Sequence, residues 1–344
     1  MEKPVVVIKL GTAVVTDSRG MIAPGTIRKV AAEVAALTAD HRVVLVSSGA
    51  VGSGRGFFQG YKGTLTERKA AAAVGNPILI RQYQRAFSAY SIPVAQALCE
   101  RQHFSDRGRF LQLKETFEVF WENGILPIMN ENDLFSNVEL KFSDNDELAT
   151  LTAIGLDASA LLLCTSVGGL LDSEDRIVSA VEKVDSRVLG LVQRGKSSLG
   201  LGGMLSKLTF ARLASSLGIR VVICGLKGKT PFGDALAGIA GTSILPRASN
   251  LRARQKWLAS GSITLGSLLV DKGAMRALGQ RRSLLTVGVR EVEGRFEAGE
   301  VVQLKDEEGN IIGVAKVRLA AAGMMERLTA RNVMAAHADD IVLF

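Results

Sequence analysis

Short apolar runs alternate with longer segments of mixed polarity up to residue 250. Continuous apolar runs of this length are typical of strands that are buried on both faces of a parallel sheet. We predict such strands at residues 5–10, 42–47, 93–99, 125–129, 158–164 and 219–224.

The segments between these runs place apolar residues at helical spacing. We predict helices at residues 24–37, 65–74, 78–90, 107–123, 147–154 and 204–217. Pro24 opens the first of them, and Gly124 and Gly218 follow two others as C-terminal stops. Strands and helices that alternate in this way predict an α/β fold, a three-layer αβα sandwich around a mostly parallel sheet.

The pattern changes after residue 259, where short β-type runs bounded by Gly, Asp and Asn take over. We predict strands at 262–265, 284–287, 301–305 and 311–317, with a hairpin turn at 306–310. The boundary is placed near Ser260. The chain is therefore expected to form one domain over residues 1–258 and a small β-rich barrel over residues 261–344.

Composition fits this division, since 344 residues are enough for two domains and 47% of them are hydrophobic. Cys99, Cys164 and Cys224 lie in apolar runs, which favours buried reduced thiols over disulfides or metal ligands. The histidines show no metal-ligand spacing. No run approaches the roughly 18 apolar residues of a membrane span, and no leader pattern is visible, so a cytoplasmic protein is expected.

The formal net charge is +8, but basic and acidic residues balance over residues 261–344. The excess therefore lies in the larger predicted domain. Two explanations stand side by side: a site for ATP and an acidic substrate, or a generally basic solvated surface. A balanced C-terminal region does not favour binding to a phosphate backbone.

Two lysines far apart in sequence suggest phosphate binding. Lys9-Leu-Gly-Thr12 ends the first predicted strand, where an open parallel sheet binds its ligands. Gly202-Gly-Met-Leu-Ser-Lys207 is expected to form a glycine-rich loop that opens a helix, with backbone N–H groups free for phosphate. Two cations that converge on a triphosphate indicate phosphoryl transfer.

Small or polar residues follow two further predicted strands. In Ser47-Ser-Gly-Ala-Val-Gly-Ser-Gly54, successive N–H groups can bind a carboxylate or phosphate, although a compact turn needs the same residues. In Met129-Asn-Glu-Asn-Asp133, Asp133 could pair with a substrate ammonium and Asn130 with a carboxylate. A solvated loop is the alternative for this segment.

Acids cluster in Ser143-Asp-Asn-Asp-Glu147, before a predicted helix. Helix capping and the helix dipole explain most of this cluster. An aspartate placed between the two lysines would hold both in position. The segment Gly190-Leu-Val-Gln-Arg-Gly-Lys-Ser197 matches the P-loop pattern by letter, but no strand is predicted before it and no good helix start after it. We therefore favour Lys207 over Lys196 as the phosphate-binding lysine.

In order and position these motifs resemble those of the glutamate 5-kinase family, within the amino acid kinase superfamily. The resemblance is carried by Lys9-Leu-Gly-Thr12, Ser48-Gly-Ala50, Asn130-Glu-Asn-Asp133, Asp144-Asn-Asp146 and Gly202-Gly-Met-Leu-Ser-Lys207. The C-terminal part resembles a PUA domain, so the resemblance covers nearly the whole chain. It implies the amino acid kinase fold followed by a PUA barrel.

The resemblance also implies an activity: ATP-dependent phosphorylation of the γ-carboxylate of L-glutamate, the first step of proline biosynthesis, with Mg²⁺ as the metal. It implies homo-oligomers (dimers or tetramers) and feedback inhibition by L-proline. Neither a membrane nor a nucleic acid is expected as a partner.

Residue roles follow from the same resemblance. The catalytic residues would be Lys9, Lys207 and Asp146. Glutamate would be bound by Ser48, Gly49, Ala50, Asn130, Asp133 and Asn145. The nucleotide would be bound by Lys9, Gly11, Thr12, Thr165, Ser166, Leu201, Gly202, Gly203, Met204, Leu205, Ser206 and Lys207.

Three positions depart from the family pattern. Ser166 stands where Asp is usual, Leu201 where Thr is usual, and Glu174-Asp175 where Asp-Pro is common. All three lie on the nucleotide side, so glutamate recognition is better supported than the details of ATP binding. Three alternatives stay open: another acylphosphate-forming kinase of the same fold, a catalytically weak regulator, and an RNA-binding or RNA-modifying protein.

Overall fold

The computed structural model describes residues 2–17, 20–105, 107–135, 145–194, 198–247, 266–330 and 332–343. The chain divides into two compact units, Met1–Ser249 and Asn250–Phe344. The predicted boundary near Ser260 and the predicted strand at 262–265 lie outside the described residues, so the domain limits of 258 and 261 stay a prediction.

The first unit contains the predicted alternation of strands and helices. Its strands are β1 (Val5–Leu10), β2 (Arg42–Ser47), β3 (Val94–Cys99), β4 (Leu126–Glu131), β5 (Ala160–Cys164), β6 (Ala180–Val181), β7 (Arg220–Cys224) and β8 (Thr242–Ile244). Its helices are α1 (Thr12–Val15), α2 (Pro24–Leu37), α3 (Ala50–Gly54), α4 (Leu65–Phe87), α5 (Gln102–Ser105), α6 (Arg107–Glu122), α7 (Asn145–Gly155), α8 (Ser186–Arg194), α9 (Ser198–Ser216) and α10 (Pro231–Ala237).

In the described part of this unit the strands form an eight-stranded sheet in the order β3-β4-β2-β1-β5-β7-β8-β6. Every neighbouring pair is parallel except β7 and β8. The predicted mostly parallel sheet is therefore confirmed. β1 lies between β2 and β5, so the carboxyl ends of these three strands share one edge, where open α/β sheets bind their ligands.

The core of the first unit lies between this sheet and its helices. Val6 and Ile8 of β1, Leu45 of β2 and Leu162 of β5 are fully buried in one hydrophobic cluster with α2 and α4. Strands covered by helices on both faces read as continuous apolar runs, which is why these strands could be found from sequence.

Two predicted helices prove to be one. Residues 65–74 and 78–87 of these segments belong to the single helix α4, which contains Pro77, and residues 88–90 form a turn of 3₁₀ helix after it. Proline lacks the N–H that would complete one helical hydrogen bond and therefore usually ends a helix. Here the helix continues because packing holds it on both sides of the proline: Gly75 lies against α3, and Leu79 and Tyr83 are buried in the core.

Other predicted bounds shift. α9 begins at Ser198, six residues before the predicted start at 204, so the expected glycine-rich loop is helical. β4 extends to Glu131, so Asn130 and Glu131 end a strand rather than open a loop.

The second unit is rich in β-structure. Its described elements are β9 (Gly266–Val270), α11 (Lys272–Gly279), β10 (Leu284–Leu285), β11 (Val289–Gly294), β12 (Val301–Lys305), β13 (Ile311–Lys316), α12 (Ala321–Met325), β14 (Met334–Ala336) and β15 (Ile341–Leu343). The predicted hairpin is confirmed, because β12 and β13 pair antiparallel across residues 306–310. A turn of 3₁₀ helix from Thr286 to Gly288 replaces the second half of the strand predicted at 284–287. In the described part of the chain, no helix has the length and apolar character that crossing a membrane requires.

Candidate active site

Lys9 is the buried cation at the centre of the sheet edge. It occupies the next-to-last position of β1, between Val46 of β2 and Leu163 of β5, and it is only 5% exposed. An ammonium group in such surroundings needs an anionic or hydrogen-bonding partner, because an unpaired buried charge is strongly unfavourable.

That partner is Asp146, which also binds the second lysine. Lys9 Nζ lies 2.6 Å from Asp146 Oδ1, and Lys207 Nζ lies 2.9 Å from Asp146 Oδ2. Each carboxylate oxygen therefore takes one ammonium group, although the two lysines are nearly two hundred residues apart in sequence. One carboxylate between two ammonium groups leaves a net positive charge that suits a phosphate.

The first turn of α7 brings Asp146 to this position. Asp146 is 1% exposed and Glu147 4% exposed, and Glu147 Oε1 pairs with Arg101 Nε at 2.9 Å. These acids lie at the favourable end of the helix dipole. Their burial against basic side chains shows that they do more than cap a solvated helix. Asp144 of the same motif lies outside the described residues.

A cavity of about 410 Å³ opens beside this cluster. The six residues predicted to bind glutamate all line it: Ser48, Gly49, Ala50, Asn130, Asp133 and Asn145. Thr12 and Glu131 also belong to its wall. The cavity meets the lysine cluster at Thr12, which follows Lys9-Leu-Gly, and at Asn145, which precedes Asp146. Thr12 was predicted to bind nucleotide, and the structure places it on the wall of this cavity.

Hydrogen bonds fix the orientation of the amides on one wall. The Asn145 amide nitrogen lies 3.1 Å from the Ser47 carbonyl oxygen, 2.9 Å from Ser48 Oγ and 3.1 Å from Asn130 Oδ1. A backbone carbonyl only accepts, so this nitrogen must face Ser47. Asn145 Oδ1 is then a buried acceptor, with no hydrogen-bond partner within the described residues. It is suited to a ligand that donates, such as an ammonium group.

Helix α4 supports this wall from behind. Asn130 donates from Nδ2 to Asn76 Oδ1 at 3.0 Å, and Asn130 Oδ1 accepts from the Glu131 N–H at 2.9 Å. Tyr83, seven residues after Asn76, bonds to Ser47 Oγ at 2.8 Å. Burial raises the pKa of the Tyr83 phenol well above its usual value, so the hydroxyl keeps its proton.

Three further residues predicted to bind the nucleotide lie just after the ends of β1 and β5. Gly11 directly precedes α1, and Thr165 and Ser166 follow β5. The Thr165 N–H donates to the Cys224 carbonyl at 2.8 Å, which ties the loop after β5 to the end of β7. Ser166 is exposed.

The remaining nucleotide candidates lie inside α9. Residues 201–207 belong to this helix, so the N–H groups of Gly202 and Gly203 face the carbonyls of the preceding turn and are not free to bind phosphate. The expectation of a loop of free amides is wrong here. Met204, Leu205 and Ser206 lie in the turn before Lys207, and the side chain of Leu201 lies outside the described residues.

The match to the P-loop pattern at 190–197 does not have a P-loop context. Its first five residues, 190–194, lie inside helix α8 and not in a loop that follows a strand. Residues 195–197, including Lys196, lie outside the described residues. A helix does start directly after the match, at Ser198, contrary to expectation. The preference for Lys207 over Lys196 stays a prediction.

Sequence reasoning missed the basic and aromatic side chains of the cavity wall. Arg55, Tyr61 and Arg68 form part of its wall. Arg55 directly follows the predicted anion-binding segment 47–54, and its basic side chain was a signal that could have been used. Asn76 and Tyr83 gave no signal, because polar residues in the middle of a helix are common on its solvent face.

Comparison with known proteins shows which family has this fold and this set of motifs. The family model described as "Amino acid kinase family" matches residues 4–225, and the "PUA domain" model matches residues 266–335. A protein of Kosmotoga olearia named glutamate 5-kinase is 36% identical over 92% of this chain and 89% of its own length. The chain belongs to the glutamate 5-kinase family.

Further members of this family agree over similar lengths. The glutamate 5-kinase of Gloeobacter violaceus is 41% identical over 88% of this chain and 86% of its own length. That of Sodalis glossinidius is 34% identical over 98% of both chains. The family resemblance inferred from the motifs is therefore confirmed, and among the alternatives an RNA-binding protein without kinase activity is not favoured.

Solved structures confirm the fold. Carbamate kinase from Giardia lamblia bound to AMP-PNP superposes with a TM-score of 0.52 at 20% identity, over 71% of this chain and 99% of that one. A second structure of Giardia carbamate kinase gives a TM-score of 0.51 at 18% identity. At this identity the likeness establishes the amino acid kinase fold but does not identify the substrate.

Proposed function

We propose that this glutamate 5-kinase family member transfers the γ-phosphoryl group of ATP to the side-chain carboxylate of L-glutamate, giving L-glutamyl 5-phosphate and ADP. The observation that carries the proposal is the pairing of Lys9 and Lys207 on the buried Asp146, beside a cavity with amine-binding and carboxylate-binding groups. The chain's relatives bear the name of this activity.

The reaction needs little proton transfer. A glutamate side chain, with an unperturbed pKa of about 4.3, is ionised at neutral pH and attacks phosphorus without a general base. One carboxylate oxygen forms the new P–O bond. The bond between the γ-phosphorus and the bridging oxygen breaks, and its electron pair stays on the β-phosphate of ADP. The protein's contribution is alignment and charge stabilisation.

Alignment and charge stabilisation can be assigned to individual residues. Lys9 and Lys207 would contact the transferring phosphoryl group and its neighbouring oxygens, while Asp146 holds both ammonium groups at fixed positions. The Asn145 and Asp133 side chains would receive the substrate ammonium, because both present acceptors on the cavity wall. Ser48 and the backbone of Gly49 and Ala50 complete the glutamate site.

The described residues suit a Mg²⁺ ion that the protein itself contacts little. The described residues contain no cluster of three or more His, Cys, Asp or Glu side chains that could hold a metal ion. Both oxygens of Asp146 already face lysines. Mg²⁺ would therefore be held mainly by phosphate oxygens and water, as is usual for this ion, and would neutralise charge on the phosphates.

Several properties belong to the same proposal. Homo-oligomers, dimers or tetramers, and feedback inhibition by L-proline are expected from the family, as is a cytoplasmic location. The nucleotide contacts of Gly11, Thr165, Ser166 and residues 201–206 are also proposed on this basis.

The test is ADP release from Mg-ATP that depends on glutamate, with the acyl phosphate trapped as its hydroxamate. We expect turnover with L-glutamate and little with aspartate, N-acetylglutamate or carbamate. Equal or greater turnover with one of these acceptors would identify another kinase of the same fold. ADP release without hydroxamate would show that no acyl phosphate forms.

A further inference from the structure

The first turn of α4 presents an arginine to the glutamate cavity. Arg68 lines the cavity together with Tyr61, and its backbone N–H bonds to the Thr64 carbonyl at 2.9 Å. A capping box orders this turn: Thr64 Oγ1 accepts from the Glu67 N–H, and Glu67 Oε2 accepts from the Thr64 N–H at 2.9 Å. The backbone that carries Arg68 is therefore well fixed.

The fold itself gives no reason for an arginine here. Within the described residues, the Arg68 guanidinium makes no hydrogen bond or ion pair with another side chain or with backbone. Its charge also lies at the positive end of the α4 dipole, where cations are unfavourable. Arg55, the other arginine of the cavity, differs because its guanidinium packs against the backbone of Gly20.

The groups assigned so far leave one charged group of the substrate without a cationic partner. An α-amino acid with a side-chain carboxylate brings an ammonium group and two carboxylates. The ammonium group suits Asp133 and Asn145, and the reacting carboxylate must face the Lys9 cluster. The α-carboxylate then needs a donor on the remaining wall, and a guanidinium binds a carboxylate through two parallel hydrogen bonds.

We propose that Arg68 is a specificity-determining residue that binds the α-carboxylate of the substrate. This inference rests on the proposed function, because it assumes that an acidic amino acid occupies the cavity. Arg68 thereby selects acceptors with a free α-carboxylate, in addition to the carboxylate that is phosphorylated.

The experiment compares L-glutamate with L-isoglutamine, its α-amide, which keeps the ammonium group and the reacting carboxylate. In Arg68→Met, we expect KM for glutamate to rise about 10- to 100-fold, the range for loss of a charged hydrogen bond. We expect kcat to stay within about threefold of the wild type, and KM for isoglutamine to change less than about twofold. Arg68→Lys keeps the charge without the bidentate geometry, so its KM for glutamate should lie between those of the wild type and Arg68→Met.

Arg81→Met is the matched control, because Arg81 is exposed on the same helix and is not part of the cavity wall. It should leave both KM values unchanged, and thermal unfolding of Arg68→Met should match the wild type. An equal rise of KM for both substrates in Arg68→Met would overturn the proposal, as would an unchanged KM for glutamate. So would wild-type protein that accepts isoglutamine as well as glutamate.

Calorimetric titration with glutamate and isoglutamine repeats the comparison without turnover. If wild-type protein binds glutamate but forms no acyl phosphate, the proposed function fails while the Arg68 contact is still measured. If Arg68→Met lowers glutamate affinity alone, the contact is supported. If both ligands bind the wild type equally, or if neither binds it, the contact is excluded.

Discussion

A single carboxylate organises the charged centre. Asp146 is almost fully buried and binds Lys9 and Lys207, one through each oxygen. A buried ion pair of this kind contributes little net stability, because desolvation of the charges offsets their attraction. Its value here lies in geometry, since it holds two long lysine side chains at fixed positions, where charge would develop in the proposed phosphoryl transfer.

Removal of Lys207 or of Asp146 should therefore lower kcat. For Lys207→Ala and Asp146→Ala we expect kcat to fall by about 10²- to 10³-fold or more, as seen when one preorganised charge-stabilising group is lost. The measurement is steady-state kinetics with saturating Mg-ATP and glutamate. Lys183→Ala, at an exposed position, should be unchanged and serves as the control.

Folding must be checked beside these rates, because Asp146→Ala leaves two ammonium groups without their carboxylate. Circular dichroism should report a native fold for Lys207→Ala, whose ammonium lies nearer the surface, with 12% of the side chain exposed. Near-normal kcat in a folded Lys207→Ala protein would contradict the assigned role.

Asp133 is expected to govern affinity for the amine of glutamate. It lies on the cavity wall two residues beyond the end of β4. In Asp133→Ala we expect KM for glutamate to rise at least tenfold, while KM for ATP changes little, because the lost contact would be a charge-assisted hydrogen bond. Initial rates at varied glutamate and varied ATP measure both constants. A parallel rise in the two KM values would speak against the ammonium contact.

At the scale of elements, the cavity proposed to bind glutamate depends on how closely α3 and α4 approach. A Cβ on Gly75 would collide with the Ala50 carbonyl oxygen, and a Cβ on Gly54 with the Ala71 carbonyl oxygen. The two helices therefore touch backbone to backbone. This contact places the start of α3, with Gly49 and Ala50, against the wall that α4 supports.

Gly75→Ala should disturb this contact. Alanine is the better helix former by about 1 kcal/mol, so a loosely packed site would be stabilised. Here we expect destabilisation of about 1–3 kcal/mol or more, because overpacking against a carbonyl oxygen forces the helices apart. Urea unfolding measures the change, and KM for glutamate should rise as well.

Gly56→Ala is the matched control for this prediction. A Cβ on Gly56 meets nothing within 4 Å, although it lies only two residues after Gly54. We expect its stability to be unchanged or slightly increased. If Gly75→Ala proved as stable as Gly56→Ala, the helices could separate without cost, and the close approach would not support the cavity.

For the whole molecule, the buried core should protect the thiols. Cys99 is 3% exposed, and Cys164 and Cys224 are fully buried on adjacent strands. Burial raises the pKa of Cys99 to about 12, and a hydrogen bond with Cys164 together with burial raises the pKa of Cys224 well above its usual value. The reactive thiolate of these two residues is therefore scarce at neutral pH. All three cysteines should resist thiol reagents in the native protein.

Labelling with a chromogenic disulfide reagent tests this expectation. The native protein should show negligible reaction over minutes at pH 7.5, whereas protein in denaturant should react rapidly at all three cysteines per chain. Fast labelling of Cys164 or Cys224 in the native state would show that the centre of the sheet opens locally, and the core would be less closed than described.

The sequence could predict the sheet and the charged residues at its edge. Buried parallel strands are continuous apolar runs, and helices between them repeat at a longer period, so the αβα sandwich follows from local patterns. Lys9 was identifiable as a charged residue at a strand end, and Lys207 from the glycines before it. The family motifs selected Asp146 from the acidic cluster at 143–147. The six glutamate candidates followed from the family motifs.

The partners of those residues depend on tertiary structure. Asn76 meets Asn130 across 54 residues of sequence, and its place within α4 gave no sign of this contact. The same holds for Arg68 and for the backbone contact at Gly75. The sequence predicts two helices in place of α4, because Pro77 locally favours a break and only packing on both of its sides keeps the helix continuous.

The amino-acid pattern by itself determined six of the eight strands of the described sheet, the edge at which the polar groups gather, and the sign of the charges there. These properties depend on hydrophobic periodicity and on strand direction, which are local. Tertiary structure decided that α9 runs through the glycines before Lys207, that α4 is continuous, and which amide faces which. Those outcomes are set by packing free energy between distant segments, which single-residue preferences do not contain.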